Sequence, residues 1–160
     1  MKPQNDPHDP PRSILIIDDD TVNLEMMRLI FSCYGIECQT ASSGLEGIKA
    51  ATNGGGHSAI LLDIALPDIS GVEVFKKLRD DYSMKYIPII AVSALAMIHD
   101  IDFFMSKCAF CDYITKPIDI SNMIERMRFV SDHCIQNKKS NLSCPCRIHA
   151  LKNNHTIDRF

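Results

Sequence analysis

Ile14-Leu-Ile-Ile-Asp-Asp-Asp20 is the segment that decides the fold, because four apolar residues are followed at once by three carboxylates. A short β-branched run bounded by polar residues is typical of a β-strand, and a run that is apolar throughout is typical of a parallel strand covered on both faces. Further short runs along the chain are bounded in the same way. The predicted strands are Ile14–Ile17, Ile36–Thr40, Ala59–Leu62, Ile87–Val92 and Tyr113–Thr115.

Helical patterns follow the predicted strands. Apolar residues recur there at three- and four-residue spacing, which predicts an amphipathic helix after each strand. These residues are Leu24, Met27, Phe31 and Tyr34; Leu45, Ile48 and Ala51; Val72, Phe75 and Leu78; Ile101, Phe104, Met105 and Cys108; and Met123, Ile124, Met127 and Val130. Alternation of strands and helices predicts right-handed crossovers and one five-stranded parallel sheet with helices on both faces, a doubly wound α/β fold.

Composition and charge exclude several classes of protein. Apolar residues make up 46% of the 160 residues and charged residues 23%, which is globular composition with room for one domain. A net charge of -3 without a long Lys/Arg stripe argues against nucleic-acid binding, and no run reaches the ~20 apolar residues of a membrane span. Seven scattered cysteines favour reduced thiols in the cytoplasm over secreted disulfides.

The polarity of the chain predicts three regions. Residues 1–12 are polar and Pro-rich and lack the apolar segment of a signal peptide, so we expect a disordered N-terminal segment. The strand–helix pattern predicts one domain over residues 13–132. After about Asp132 the chain becomes polar and irregular, and we expect a Cys-containing tail over residues 133–160.

Polar residues at the carboxyl ends of the predicted strands indicate the function. Ligands of an open α/β sheet bind beyond these ends, near the point where the strand order reverses. Asp18 and Asp19 follow the first strand, Asp63 the third, Ser93 the fourth and Lys116 the fifth. In a sheet of order 2-1-3-4-5 the first and third strands are neighbours, so three carboxylates would meet beside a hydroxyl and an ammonium.

The three carboxylates of this predicted cluster repel one another, and Mg²⁺ is the hard divalent cation that would compensate them. A carboxylate beside Mg²⁺ can attack a phosphoryl donor and form an aspartyl phosphate. Ser93 can then donate a hydrogen bond to one phosphoryl oxygen, and Lys116 can neutralise another. The residue types therefore predict phosphoryl transfer onto a carboxylate.

Four blocks of sequence resemble those of a known family. They are Ile14-Leu-Ile-Ile-Asp-Asp-Asp20, Leu62-Asp-Ile-Ala-Leu-Pro-Asp-Ile-Ser-Gly71, Pro88-Ile-Ile-Ala-Val-Ser-Ala94 and Asp112-Tyr-Ile-Thr-Lys-Pro117. In this order, over roughly residues 13–130, they resemble the signature blocks of bacterial two-component response regulator receiver domains. The likeness is strongest to single-domain DivK-type regulators of cell cycle and polarity, and it implies a flavodoxin-like fold of order 2-1-3-4-5.

The resemblance implies roles for the charged residues. Asp63 would be the phosphoacceptor, and it would share Mg²⁺ with the acidic pair Asp18 and Asp19. Lys116 would be the lysine of the family pattern, and its peptide bond to Pro117 is expected to be cis. The domain would accept a phosphoryl group as a signal and would not act as an enzyme in the usual sense.

The resemblance also implies a switch and its partners. Ser93 would be the switch hydroxyl, and Tyr113 the aromatic residue that turns inward when the hydroxyl moves toward the phosphate. A sensor histidine kinase or histidine phosphotransfer protein would donate the phosphoryl group, docking near Met26 and Ile30 of the first predicted helix. No output domain fits after Val130, so the signal would pass to a downstream protein target.

A second surface is predicted for that target. The fourth predicted helix carries more apolar residues than one packing stripe can bury, so some of Ile98, Ile101 and Phe103 should face solvent. Exposed apolar patches often mark a partner surface. This interpretation also follows the family's use of the face made by the fourth helix, the fifth strand and the fifth helix.

Three other interpretations remain open. Asp18-x-Asp20-x-Val22 resembles the strand-end motif of haloacid-dehalogenase-like phosphatases, in which the first Asp would be the nucleophile. A phosphorylation-independent adaptor is the second, although inactive receivers usually lack one of the key residues. A zinc site is the third, and its candidate ligands are Cys108, Cys111, Cys144, Cys146 and His149.

Overall fold

The structure, a computed structural model, describes residues 13–54, 56–94 and 110–140. The strands are β1 (Ser13–Ile17), β2 (Glu37–Ala41), β3 (Ala59–Asp63), β4 (Ile89–Ser93) and β5 (Asp112–Thr115). The helices are α1 (Thr21–Cys33), α2 (Gly44–Gly54), α3 (Gly71–Asp80) and α4 (Ile120–Ser140), with a 3₁₀ turn at Tyr82–Met84. None of these helices has the length and hydrophobicity of a membrane span.

Several predictions from the sequence lie outside the described residues. They are the helix around residues 101–108, the surface of Ile98, Ile101 and Phe103, the segment 1–12, and the zinc ligands Cys108, Cys144, Cys146 and His149.

All five strands form one parallel sheet of order β2-β1-β3-β4-β5, which confirms the predicted topology. The central strands are buried along nearly their whole length, as their uninterrupted apolar runs predicted. The order places β1 and β3 side by side at the point where the chain reverses its direction of winding. The functional residues are therefore expected at the carboxyl ends of these two strands.

Two hydrophobic cores lie on opposite faces of the sheet. Leu15 and Ile17 of β1 point into the core that α2 and α3 cover. Ile14 and Ile16 point into the other core, which α1 and α4 cover. Successive side chains of a strand point to opposite faces, so one apolar run contributes to both cores. The sheet therefore packs between two layers of helices.

The helices differ from the predicted patterns at three places. Tyr34 was expected on the packing stripe of α1, but it is exposed because it follows the last helical residue as the cap. Leu45 is exposed because α2 turns Gly47 toward β1, where an added Cβ would lie 2.4 Å from Ile17 Cδ1. The irregular chain expected after about Asp132 is helical as far as Ser140, because α4 continues without a break.

Candidate functional site

Asp18 and Asp63 come together because their strands are neighbours. Asp18 directly follows β1, Asp63 is the last residue of β3, and the preceding residues Ile17 and Leu62 are partners in the sheet register. Asp18 and Asp63 are buried, with exposed fractions of 2% and 5%, whereas Asp19 is exposed. One oxygen from each of these three carboxylates lies within 4.8 Å of the others. The predicted acidic cluster is therefore present.

Lys116 joins the two buried carboxylates. Its Nζ donates to Asp18 Oδ2 at 2.8 Å and to Asp63 Oδ2 at 2.5 Å. The backbone N–H of Lys116 donates to the carbonyl of Ser93 at 2.8 Å, which places the side chain just beyond β5. The Lys116–Pro117 peptide bond is cis, as expected. The ammonium therefore lies between the carboxyl ends of strands that are far apart in sequence.

Burial and charge pull the pKa values of this site in opposite directions. Burial raises the pKa of Asp63, and the hydrogen bond from Lys116 only partly offsets it. Burial would lower the pKa of Lys116, but the hydrogen bonds to Asp18 and Asp63 outweigh it, so its pKa is raised. Lys116 is therefore charged at neutral pH, and an anionic Asp63 remains electrostatically costly.

The backbone holds both carboxylates in fixed orientations. The N–H of Ala65 donates to Asp63 Oδ1 at 2.8 Å, and the N–H of Asp20 donates to Asp18 Oδ1 at 2.9 Å. Asp20 itself caps α1, since its Oδ1 accepts from the N–H groups of Val22 and Asn23 at 2.9 and 3.2 Å. Asp20, the residue that the phosphatase interpretation would need as its acid/base, is thus engaged as a helix cap, which argues against that interpretation.

Ser93 lies at the same edge of the sheet. It ends β4, it is buried, and its register partner in β5 is Thr115, the residue before Lys116. On the other side of β4, Asp63 is the register partner of Val92. Strand β4 therefore places a hydroxyl between the strands that carry the acidic cluster and the ammonium.

Tyr113 lies further back in β5. Its side chain is buried in the core beneath α2 and α3, so it points inward in this structure. Its backbone carbonyl accepts a hydrogen bond from Arg126 Nη2 at 2.9 Å. Arg126 also forms a bidentate ion pair with Asp112, in which Nε lies 2.6 Å from Oδ2. This ion pair links α4 to β5, the strand of Tyr113. It was not predicted from the sequence.

The loop after β3 is held by residues that the sequence analysis also missed. The carboxylate of Asp68 accepts from the N–H groups of Gly44 and Leu45, both at 2.8 Å, at the start of α2. Ser70 and Glu73 form a reciprocal capping box at the start of α3. The Ser-x-x-Glu spacing was a recognisable sequence signal, whereas nothing local to Asp68 indicated its partners more than twenty residues away.

Asp68 makes the stability of the protein depend on pH. The hydrogen bonds from Leu45 and Gly44 lower its pKa to about 2. A lowered carboxyl pKa stabilises the fold above the unfolded value of about 4, and this contribution is lost as pH falls through the folded value. We expect urea unfolding to show wild type more stable than Asp68→Asn at neutral pH, with the difference shrinking as pH falls toward 3. A difference that stays constant over that range would exclude the ionic contribution.

The acidic cluster also fits a hard divalent cation. Carboxylate oxygens are the ligands that Mg²⁺ prefers, and proteins usually hold it by one or two carboxylates plus water. The cluster supplies oxygens from two buried residues and one exposed residue, so one side of the site is open to solvent. Burial raises the pKa of Asp63, and such an ion would stabilise its anionic form.

The fold and this site together define the class of protein. The chain belongs to the response regulator receiver family, whose model, described as "Response regulator receiver domain", matches residues 14–128. The polar-differentiation response regulator DivK of Brucella anthropi is 36% identical over 121 residues, which are 74% of this chain and 94% of that protein. This chain is thus a DivK-like receiver in sequence, and the family is one of phosphorylation-based two-component signalling.

Two solved structures show the same fold. A CheY-like receiver domain protein from Methanospirillum hungatei has a TM-score of 0.70 at 26% identity, and the match covers 79% of this chain and 98% of that one. The response regulator TrrA of Thermotoga maritima, solved in complex with Mg²⁺-BeF, has a TM-score of 0.64 at 27% identity. That match covers 74% of this chain and 97% of TrrA.

Proposed function

We propose that this receiver accepts a phosphoryl group on Asp63, with Mg²⁺ held by Asp18, Asp19 and Asp63, and thereby switches its affinity for a protein target in the cytoplasm. The observation that supports this most strongly is Lys116, whose ammonium lies 2.5 Å from Asp63 and 2.8 Å from Asp18 in a buried acidic cluster. A structural ion pair would need one carboxylate for one ammonium. Here three carboxylates lie close together and one ammonium contacts two of them, which leaves negative charge to be matched by a cation.

The chain's own groups can carry out the transfer. An oxygen of Asp63 attacks the phosphorus atom and forms an acyl phosphate, while the P–O bond of acetyl phosphate or the P–N bond of a phosphohistidine breaks. Lys116 already lies beside Asp63 Oδ2 and would pair with a phosphoryl oxygen, and the Ser93 hydroxyl would donate to another. When bound, Mg²⁺ would neutralise charge that develops on the transferred group. The signal is the acyl phosphate itself, so the chain is not proposed to turn over a substrate.

Intact-mass analysis after incubation with acetyl phosphate tests this proposal. Wild type should gain one phosphoryl group in the presence of Mg²⁺ and none when the ion is chelated. Asp63→Asn should gain none, because an amide oxygen is a poor nucleophile. Asp68→Asn is the matched control, since Asp68 is in the same loop but faces α2, and it should still be phosphorylated. An adduct that persists in Asp63→Asn would point to Asp18 instead, and no adduct in any sample would favour the adaptor.

An apolar face of α1 supports the proposed phosphodonor. Val22, Met26 and Leu29 are 74%, 45% and 55% exposed and recur at helical spacing, while Ile30, which was also expected there, is half-buried. This face begins right after the acidic residues that follow β1, so a histidine-containing partner bound there would reach Asp63.

The docking surface can be separated from the chemistry by charge substitution. Leu29→Glu should slow phosphotransfer from a histidine kinase that phosphorylates wild type by at least about tenfold, because it places a charge in an apolar contact. The rate with acetyl phosphate should not change. Lys49→Glu, which introduces a charge change at an exposed position of α2 away from this face, is the control. If Leu29→Glu receives phosphate from the kinase at the wild-type rate, α1 is not the docking surface.

A further inference from the structure

Two thiols lie together at a corner formed by α3, β5 and α4. Cys111 directly precedes β5 and Cys134 lies in α4, and they are 2% and 1% exposed. With Val130 they form a small buried cluster that is separate from the cores on the two faces of the sheet. Neither forms a disulfide, and the two side chains share a hydrogen bond. This pair takes no part in the phosphoryl-accepting site.

The guanidinium of Arg79 lies beside this thiol pair. Its Nη1 donates to the carbonyls of Met84 and Ile87 at 2.7 and 2.9 Å, and its Nη2 lies 3.7 Å from Cys111 Sγ. Its Cζ lies over the ring of Phe75, 5.1 Å from the ring centroid. Within the ranges that the structure describes, none of the ion pairs includes Arg79. Of the two thiols, Cys111 is the one whose sulfur contacts this cation directly.

This environment distinguishes the two thiols. The hydrogen bond from Cys134, and after it the charge of Arg79, lower the pKa of Cys111 although its burial raises it. The same hydrogen bond, together with burial, raises the pKa of Cys134. Because the Arg79 guanidinium lies beside Cys111, Cys111 is the more acidic thiol of the pair and Cys134 the less acidic one. A thiol of lowered pKa next to a second thiol that can resolve its oxidation product is one feature of redox-active cysteine pairs.

We propose that Cys111 and Cys134 are a redox pair, in which Cys111 reacts with a peroxide and Cys134 converts the product to an intramolecular disulfide. The Cys111 sulfur attacks one oxygen of hydrogen peroxide, the O–O bond breaks, and hydroxide leaves and is protonated to water. Cys111 is then a sulfenic acid. The Cys134 sulfur attacks it, the S–O bond breaks, and a second water leaves with the thiol proton. The two thiols lose two electrons and the peroxide gains them.

Burial is compatible with this reaction because both partners are already adjacent and hydrogen peroxide is small. It also predicts that bulky reagents such as iodoacetamide react with the exposed Cys33 before they reach either thiol of the pair. The disulfide would link α4 to the residue that lies two positions before Tyr113, and the Cys111 sulfur beside Arg79 could then no longer carry a negative charge. It would therefore hold the last described helix against the strand that leads to Lys116.

Disulfide mapping of the full chain tests the proposal. The reduced protein is treated with hydrogen peroxide, remaining thiols are alkylated in denaturant, and the chain is digested with chymotrypsin, which cleaves after Phe110 and so separates Cys108 from Cys111. We expect a linked peptide pair that contains Cys111 and Cys134, at a peroxide dose that leaves Cys33 alkylated. The proposal is wrong if Cys111 and Cys134 are both alkylated at a dose that has already oxidised Cys33.

Single substitutions test the assignment of nucleophile and resolving thiol. In Cys134→Ser the reaction should stop at a sulfenic acid on Cys111, which dimedone captures, and no linked peptide should form. In Cys111→Ser, Cys134 should remain alkylatable. Cys33→Ser is the control and should form the disulfide as wild type does. Dimedone capture at Cys134 in Cys111→Ser, to the extent seen at Cys111 in Cys134→Ser, would overturn the assigned roles.

Discussion

Gly71→Ala should destabilise the protein by about 3 kcal/mol or more, which is among the largest effects that one methyl group can have. A Cβ at this position would lie 2.3 Å from the carbonyl oxygen of Asp63 and 2.8 Å from Cα of Ile64. Both are backbone atoms at the end of a buried central strand, so they cannot move aside as a side chain would. The loop that starts α3 must therefore lift off the strand end that carries the acceptor.

The same substitution should affect phosphorylation. Displacing the backbone of Asp63 by even about 1 Å can slow a positioned reaction on the order of a hundredfold, so acetyl phosphate should label the variant far more slowly than wild type. Gly35→Ala is the control because Gly35 has a φ of 71° but no atom within 4 Å of an added Cβ. It should lose only about 1 kcal/mol, from backbone strain alone. Urea unfolding measures the stability of both variants. Similar losses of unfolding free energy in Gly71→Ala and Gly35→Ala would show that the close contact at Gly71 is unimportant.

Lys116→Met should destabilise the protein by about 3 kcal/mol at neutral pH without Mg²⁺, because it leaves buried carboxylates uncompensated. Lys116 is 21% exposed at its side chain and the two carboxylates it contacts are almost fully buried, so water compensates their charge less well than the ammonium does. The raised pKa of Lys116 leads to the same expectation, because it means that the charged lysine stabilises the folded state. Lys49→Met, at an exposed position, should change the unfolding free energy by no more than about 0.5 kcal/mol.

Magnesium should reverse much of this loss. With the ammonium removed, the acidic cluster has more uncompensated charge, so Mg²⁺ should raise the melting temperature of Lys116→Met more than that of wild type. Thermal unfolding with and without the ion measures this difference. An equal shift in both proteins would mean that the ion and the ammonium do not share the carboxylates of Asp18 and Asp63.

The strand ends could be predicted from the sequence because they depend on local patterns. Ile14–Ile17 is apolar and rich in β-branched residues, and the acidic pair follows it directly, so the sequence predicted both the strand and the position of the carboxylates. The doubly wound topology brings those ends to one edge of the sheet, which is why the sequence predicted that Asp18, Asp63, Ser93 and Lys116 lie together. The face on which a strand residue lies is easily predicted, because successive side chains of a strand point to opposite faces of the sheet.

Other features depend on contacts between distant segments and were missed. Leu45 was assigned to the core of α2 because it is large and apolar, but Gly47 allows the helix to approach Ile17 so closely that a different face is buried. Asp68 looked like an ordinary loop residue, yet it caps a helix that begins 24 residues earlier in the chain. The ion pair of Arg126 with Asp112 likewise requires the packing of α4 on β5, which no local pattern specifies.

The most direct test of the central claim is to locate the phosphoryl group by borohydride trapping. The wild-type chain is phosphorylated with acetyl phosphate and Mg²⁺, and borohydride then reduces an aspartyl phosphate to homoserine, which peptide mass mapping locates. Homoserine at position 63, and at neither position 18 nor 19, is the predicted result. Homoserine at position 18, or phosphorylated protein in which no aspartate is reduced, would contradict the assignment of Asp63 as the acceptor.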